Sequence, residues 1–439
     1  MMNSNLPACI QNKSAKIAVI GLGYVGLPVA CIFADAGFDV LGVDINPNRI
    51  EKINLGQSPI EGDEPGLAEL LATVVARGKL RANSDYANLA AVDIVLVAVE
   101  TPVDENNVPQ YVALKAAMSD LGKVITPGTL VVIESTIAPG TMQSVVQPIL
   151  ETESGLKAND DFYLGACPER VMPGKLLANL RRMSRVCGGG TPETARLMVE
   201  LYRNIVQAEL DATDIITAEL VKTTENAYRD VQIAFANEVA KICEINGADV
   251  WKVRELVNKS PGRNMHLPGA GVGGHCIPKD PWLLAYSANG RVPLHLIPAA
   301  REVNESMPIH VAEMTLHALE EANIAPESAR IAVLGYAYLE NSDDTRHSPT
   351  AALVDYLQPK VADIRIHDPW VSPYSTDIWT TVSECDAVVL MVKHDAYRKL
   401  DFERMGKALR TPIFVDGRGF FAPEAVKSAG LRYFGVGRG

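Results

Sequence analysis

Apolar and polar positions alternate in two rhythms along the 439-residue chain. Residues 16 to 46 read as strand, glycine turn, helix and strand: "KIAVI", "GLGYVGLP", the helical-period "VACIFADAG" and then "FDVLGVDIN". That order is a βαβ unit. Two further apolar runs, "DIVLVAVETP" at 93–102 and "GTLVVIESTIAPGT" at 128–141, have the texture of buried strands. Each ends in Thr, Ser, Pro or Gly, where a ligand sits at the carboxyl ends of a parallel sheet. The first 200 or so residues therefore predict one doubly wound α/β domain.

The rhythm then changes. From Ala212 to about Ala248 there is no proline, no glycine before Gly247, and apolar residues recur at helical spacing, which predicts one long helix connecting two domains. A helix of that length carries more apolar stripe than its own domain covers, so it is a candidate dimer interface; burial within one subunit is the alternative. From Arg330 the first rhythm returns. "RIAVLGYAY" echoes "KIAVIGLGY", "ADIRIHDPW" echoes "FDVLGVDIN", "CDAVVLMVKHD" echoes "VDIVLVAVETP", and "TPIFVDGRG" takes the place of "TLVVIESTI". After Gly335, however, come Tyr336 and Ala337, so this second loop does not offer the same backbone approach to a pyrophosphate. The expected architecture is α/β, with two Rossmann-like doubly wound domains joined by a central helical domain with a long connecting helix. Its expected bounds are 1–208, 209–308 and 309–439, the last binding something other than a dinucleotide.

Composition narrows the partners. A net charge of −12 argues against nucleic acid or an acidic membrane surface, though not against a small anion in a locally basic pocket. The seven cysteines are scattered and show no C-x-x-C spacing, which predicts reduced thiols and neither a disulfide framework nor a metal site. The polar start "MMNSNLPACIQNKSAK" lacks a hydrophobic core region, and no apolar run reaches the roughly 20 residues that span a bilayer. A soluble, cytoplasmic protein is expected.

Candidate chemistry lies at three places. Gly21, Gly23 and Gly26 satisfy G-x-G-x-x-G between a strand and a helix, and Asp44 ends the next strand 18 residues after Gly26. A carboxylate there accepts both ribose hydroxyls and repels a 2'-phosphate, so NAD rather than NADP is expected. On the long helix, Lys222, Asn226 and Arg229 share a face, with Leu220, Val221, Ala227 and Val231 expected to be buried beside them; a solvated polar stripe is the plainer reading. The glycine- and proline-rich "SPGRNMHLPGAGVGGHCIPKDPWLL" predicts a loop entering a helix, with Cys276 near the helix N-terminus and Asp280 one turn on. Taken by itself, Cys276 reads as an inert buried thiol.

Together, "GLGYVGLP", "VETP", "EST" followed by "PGT", "CPERVMPG", "ELVKTTENAYRD", "GVGGHCIPKD" and "NSDDTRHSP" stand in the order and spacing of a known family. From residue 16 to 420 the chain resembles the UDP-glucose/GDP-mannose dehydrogenase family. That resemblance implies oxidation of a sugar C6 alcohol to a carboxylate with NAD, by a homodimer built on the central helix. It assigns Cys276 as nucleophile, Asp280 as base, Lys222 and Asn226 as stabilisers of oxygen charge, and Glu169 as a further acid/base or water holder. Gly21, Gly23, Tyr24, Val25, Gly26, Asp44, Arg49, Thr101, Thr136 and Arg346 become cofactor residues. Arg170, Val171, Lys222, Asn226, Arg229, Arg263, Gly273, Tyr338, Arg346 and Arg418 become substrate residues, the substrate being a UDP-sugar. The "PER" and "PG" of "CPERVMPG", with Pro173 in place of a glutamate, resemble the N-acetylhexosamine branch. UDP-N-acetyl-D-mannosamine is the expected sugar, and Arg170 offers a donor to an acetamido carbonyl. UDP-N-acetylglucosamine and UDP-N-acetylgalactosamine are alternatives, and UDP-glucose is a more distant one. A two-electron hydroxyacid dehydrogenase and a non-catalytic NAD-binding scaffold are the readings outside the family. Leu339 departs from the family pattern, which commonly has a lysine there, with Arg263 or Lys279 as candidate compensation.

Overall fold

The computed structural model describes residues 5–60, 64–171 and 174–439. Eight strands form the first sheet: β1 Lys16–Ile20, β2 Asp39–Val43, β3 Leu80–Asn83, β4 Ile94–Val97, β5 Leu130–Ile133, β6 Tyr163–Ala166, β7 Arg185–Gly189 and β8 Leu210–Asp214. Their order is β3-β2-β1-β4-β5-β6-β7-β8, and every pairing is parallel except β6 with β7. Ile17 and Val19 point into one core, Ala18 and Ile20 into another on the opposite face. Burial on both faces is why these strands read as unbroken apolar runs rather than as alternation. Since β1 lies between β2 and β4, the turn after β1 and the segment after β4 open at the point where strand order reverses.

The second sheet repeats this arrangement with five parallel strands: β9 Arg330–Leu334, β10 Asp363–His367, β11 Ala387–Leu390, β12 Ile413–Asp416 and β13 Arg432–Gly435, in the order β10-β9-β11-β12-β13. Ile331 and Val333 enter one core and Ala332 and Leu334 the other, so the expected second Rossmann-like sheet is borne out. The chain divides into two compact units, one of residues up to Glu225 with Trp282–Val292, the other of Asn226–Pro281 with Pro293–Gly439. Residues of the expected central segment fall in both. Among the described residues no helix is long and apolar enough to cross a membrane.

The long helix runs Ile215–Ile245 and so begins three residues later than its pattern suggested. Ala212 belongs to β8, which ends at Asp214; the Asp214 carboxylate then accepts the Thr217 N–H (2.9 Å) and hydroxyl (2.7 Å), caps the first turn and fixes the start. Ala227 is buried as expected, whereas Leu220 is 40% exposed. Leu220 belongs instead to an outward apolar stripe with Ile216, Tyr228, Phe235, Ile242 and Ile245. Tyr228, Phe235 and Ile242 recur at heptad spacing, the period that keeps one seam on one side of a helix.

In the second unit the inner face of this helix meets the Leu296–Glu321 helix through buried polar groups. Arg301 donates to Asp230 (2.7 Å) and Glu305 (3.0 Å), and Asn304 donates to the Asp230 carbonyl and carboxylate. Asn237 bonds Asn304 at 2.8 Å and accepts the Gly269 N–H at 2.9 Å, tying the loop before Cys276 to both helices. Removing one partner of a buried ion pair leaves the other desolvated without compensation. Asp230→Ala is expected to destabilise this unit by about 3 kcal/mol, the lower end for a broken buried pair because Glu305 still meets the arginine. Glu305→Ala, which removes a 60%-exposed carboxylate, should change stability by less than about 1 kcal/mol. Chemical denaturation of the two variants checks the difference.

Candidate active site

At the carboxyl end of the first sheet the glycine turn is shaped by contacts no side chain permits. Gly21 has φ +86°, and a Cβ there would lie 2.5 Å from the Ala98 carbonyl oxygen. A Cβ on Gly26, the first residue of the Gly26–Asp35 helix, would lie 1.8 Å from the Gly21 oxygen. A Cβ on Gly23 would meet no protein atom within 4 Å, so the space above it is open for a ligand to approach the backbone. Tyr24 and Val25 are half-buried at the mouth of this helix, with Val25 as its N-cap. Asp44, 5% exposed, accepts the Leu22 N–H (2.8 Å), the Asn46 N–H (2.9 Å) and Arg49 Nη1 (2.9 Å). Across the switch point Thr101 Oγ1 donates to the Thr136 carbonyl at 2.7 Å, joining the ends of β4 and β5. Open space over a glycine, N–H groups at a helix start and a carboxylate at the end of β2 are what a dinucleotide requires, so the residues fit NAD.

In the second unit Cys276 is the first residue of the Cys276–Ser287 helix, and it is exposed. Gly273 and Gly274 let the preceding loop press on Tyr338: a Cβ on either would come within 2.7 Å of that side chain. The Gly274 N–H also donates to the Arg346 carbonyl (2.9 Å). Arg346 forks onto Asp344, and Cys276 lies within electrostatic reach of both Arg346 and Tyr338. Burial, and then the charge of Asp344, push the Tyr338 hydroxyl up to about 12. His275 is driven down to about 4 by burial and then by Lys279 and Arg346, so its imidazole is neutral at physiological pH. Asp280 is fully buried; Asn226 donates to its Oδ2 at 2.6 Å, and Lys279 Nζ stands 3.1 Å from Oδ1 at ion-pair distance without hydrogen-bond alignment. Lys279 is therefore engaged with Asp280.

A cavity of about 550 Å³ in the same unit is lined by Arg229, Gly273, Tyr338, Lys393 and Arg418, with Leu339 on its wall. Arg418 is held by the Met391 carbonyl (2.6 Å) and the Gly271 carbonyl (3.3 Å). Its turn is fixed by buried Asp416, which accepts the Arg418 and Phe421 N–H groups and whose carboxyl is raised by desolvation. Arg263 is not brought to this cavity. It is exposed beside a separate cavity of about 420 Å³ bordered by Phe235 and Leu296.

Three family models match the chain in succession. The UDP-glucose/GDP-mannose dehydrogenase family NAD binding domain covers residues 15–206, its central domain 216–306 and its UDP binding domain 332–423. The chain belongs to the UDP-glucose/GDP-mannose dehydrogenase family. It is an NAD-dependent nucleotide-sugar dehydrogenase. It is 40% identical to UDP-N-acetyl-D-mannosamine dehydrogenase of Pyrococcus horikoshii over 97% of this chain and 99% of that one. The solved UDP-D-ManNAc dehydrogenase from that organism superposes with a TM-score of 0.92, at 40% identity over the same shares of the two chains. An NDP-N-acetyl-D-galactosaminuronic acid dehydrogenase from Methanosarcina mazei superposes with a TM-score of 0.87, at 36% identity over 99% of this chain and 98% of that one.

Set in this family, the remaining predicted residues fall in the first unit. Lys222 and Glu169 are buried. Arg170 is tied by its Nε and Nη2 to Glu225 and by its Nη1 to the Ser184 carbonyl (2.8 Å) and hydroxyl (3.0 Å), so its guanidinium already has protein partners. Val171 packs on the first core, while Met172 and Pro173 lie outside the described residues. In the second sheet of this family member, Gly335 keeps a positive φ of +92°, but the carboxylate corresponding to Asp44 is consumed. Asp368 accepts the Tyr336 (2.6 Å) and Ala337 (2.9 Å) N–H groups and His394 Nε2 (3.1 Å). Against the desolvation of its site, those bonds hold its carboxyl down at about 2. Lys393, just past β11, was not singled out from sequence; the repeat of the β4 segment that carries Thr101 was the available signal.

The glycines give a direct test of the cofactor loop. Gly23→Ala places its methyl in open space, so the fold should keep its thermal midpoint while NAD+ binding weakens at least about tenfold, roughly 1.4 kcal/mol. Gly26→Ala collides with the Gly21 oxygen and should lose folded protein. Calorimetric titration with NAD+ and thermal melts separate the two outcomes.

Proposed function

We propose that the enzyme carries out a four-electron oxidation of the C6 alcohol of UDP-N-acetyl-D-mannosamine to the uronate, with Cys276 as the covalent nucleophile. The observation that carries this reading is an exposed cysteine at the first turn of a helix, with the fully buried Asp280 one turn on and held by Asn226. When bound, the nicotinamide accepts hydride from C6. An aldehyde carbon has no activated hydride to give until a nucleophile adds. Addition of the Cys276 sulfur forms a C–S bond and a thiohemiacetal, from which a second hydride leaves to give a thioester. Water then breaks the C–S bond, with Asp280 as base, releasing carboxylate and restoring the thiol. The positive end of the dipole at a helix start favours negative charge on the sulfur. Lys222 and Asn226 take charge stabilisation at the C6 oxygen, and Glu169 takes acid/base or water-holding work; these roles rest on the family resemblance.

The cavity beneath Tyr338 suits the UDP moiety. Arg229, Lys393, Arg398 and Arg418 outnumber the single Glu340 among its charged residues, and Phe420 offers a ring face. Lys393 rather than Arg263 or Lys279 shares that cavity with Leu339. The relatives' names support an N-acetylhexosamine, and the 36%-identical Methanosarcina mazei enzyme favours an N-acetylgalactosamine-type sugar as the second reading. The three-part division at 1–208, 209–308 and 309–439, and a cytoplasmic setting for the seven cysteines, none of them in a disulfide, belong to the same proposal.

Two NADH per sugar are expected, with one water consumed; a count of one sinks the four-electron reading. Cys276→Ser should abolish acid formation, and undiminished uronate in that variant removes the nucleophile. In a substrate panel UDP-glucose should show kcat/KM at least about a hundredfold below UDP-N-acetyl-D-mannosamine. Preference for UDP-N-acetylgalactosamine would transfer the assignment to the second reading.

The outward stripe of the Ile215–Ile245 helix supports a homodimer. Phe235, 58% exposed at the centre of that stripe, is expected at the interface. Sedimentation of the wild type should give twice the chain mass, and Phe235→Glu should shift it toward monomer.

A further inference from the structure

Among the described residues of the first sheet, β6 and β7 are the antiparallel pair, with Gly165 opposite Gly189 and Ala166 opposite Gly188. Continued outward, this register sets Cys167 opposite Cys187 and, on the same face, Glu169 opposite Arg185. The side chains obey it. Arg185 Nη2 lies 2.6 Å from Glu169 Oε2, with 3% and 4% of the two side chains exposed. Arg185 Nη1 also donates to Glu134 Oε1 (3.3 Å), from the "EST" segment just past β5. Tyr202, in the Pro192–Tyr202 helix, donates its hydroxyl to the same Glu134 oxygen at 2.6 Å, and its ring lies 4.7 Å from the guanidinium.

Two buried carboxylates thus share one guanidinium, and the groups facing them are Arg185, Tyr202 and Cys167. Burial pushes the Glu134 carboxyl up to about 7; Arg185 opposes the shift and the Glu169 charge adds to it. The proton that one guanidinium cannot balance therefore resides on Glu134 near neutrality. Glu169 Oε1 accepts its neighbouring Arg170 N–H (2.7 Å), and Oε2 faces Arg185, so its orientation is held from both ends.

We propose that Arg185 is a positioning residue for the reaction, fixing Glu169 in one orientation and supplying its counter-charge, with Glu134 and Tyr202 holding the guanidinium in register. This rests on the reading of Glu169 as an acid/base or water-holding group. A purely structural cluster would affect only stability, whereas a positioning cluster sets the rate and its pH dependence.

The test uses the full chain with NAD+ and UDP-N-acetyl-D-mannosamine, comparing Glu134→Gln, Arg185→Lys and Glu169→Gln by kcat, both KM values and the kcat–pH profile. Glu134→Gln keeps shape and removes the proton-sharing carboxylate, so the part of the profile near pH 7 due to Glu134 should vanish with KM unchanged. Arg185→Lys cannot fork to two carboxylates and should lower kcat at least about tenfold, with the acidic limb displaced and KM within about twofold. If Arg185→Lys does not fold by circular dichroism, the isosteric Glu134→Gln decides. Wild-type kcat and pH profile in the folded variants, with Glu169→Gln slowed about a hundredfold or more, overturn this inference and leave the role of Glu169 standing. Wild-type turnover by Glu169→Gln overturns both.

Discussion

In each sheet the turn after the first strand is tied down by one buried carboxylate. Asp44, past the end of β2, accepts the Leu22 N–H of the first turn; Asp368, past the end of β10, accepts the Tyr336 and Ala337 N–H groups of the second. A buried carboxylate is tolerated only when donors meet it, and here the donors are the turns themselves. Each sheet thereby obtains a rigid lip at its topological switch point. The two sites diverge in what remains of the carboxylate. Among the described residues Asp44 meets, besides the turn, the neighbouring Asn46 N–H and the partly exposed Arg49, whereas Asp368 is also bonded by buried His394 and the N–H groups of Trp370 and Val371. The Asp368 carboxylate therefore has more protein donors than the Asp44 carboxylate. One supersecondary unit is thus used twice with its carboxylate differently engaged, β2-β1-β4 matching β10-β9-β11 in strand order.

Burial of charge recurs away from those lips. Asp230 with Arg301, and Glu134 and Glu169 with Arg185, are ionic groups placed where apolar packing would have served stability as well. Each is attached to a segment carrying candidate chemistry: the first reaches Gly269 before the cysteine loop through Asn304 and Asn237, and the second contains Glu169 itself. Apolar contacts fill volume without direction. Charge-assisted hydrogen bonds fix orientation, which is what a reacting group needs.

The readability of the sequence depends on how local each feature is. Four strands of each sheet were legible because strands buried on two faces are continuous apolar runs, and the glycine turn because its constraints lie within six residues, Gly21 to Gly26. β8 was not, being a largely exposed polar edge strand, "LDATD", that merges into the helix pattern. Leu220 was misplaced because an apolar residue on a helix does not declare which of two apolar faces it serves. Cys276 and Asp280 carried a helical spacing but acquired meaning only beside the family motifs. Arg185 gave no signal at all. Its partners are 16 and 51 residues away in sequence and meet it only through an antiparallel register and a strand-order crossover.

The proposed role of Arg185 points to a second place in this fold where reacting groups can be held. Parallel strands deliver their carboxyl ends to one edge, so residues such as Thr101, Thr136 and Lys393 can be found by inspecting the few positions just past each strand. An antiparallel insertion delivers the start of one strand to the end of another. Arg185 opens β7 and Glu169 lies just beyond β6, yet they face each other at that same edge. The reversed strand therefore brings a cation from a strand start to the edge where the parallel strands end, a placement unavailable to parallel β-α connections alone. With the role proposed for Arg185, the antiparallel β6–β7 pairing is a chemical device as well as a topological one.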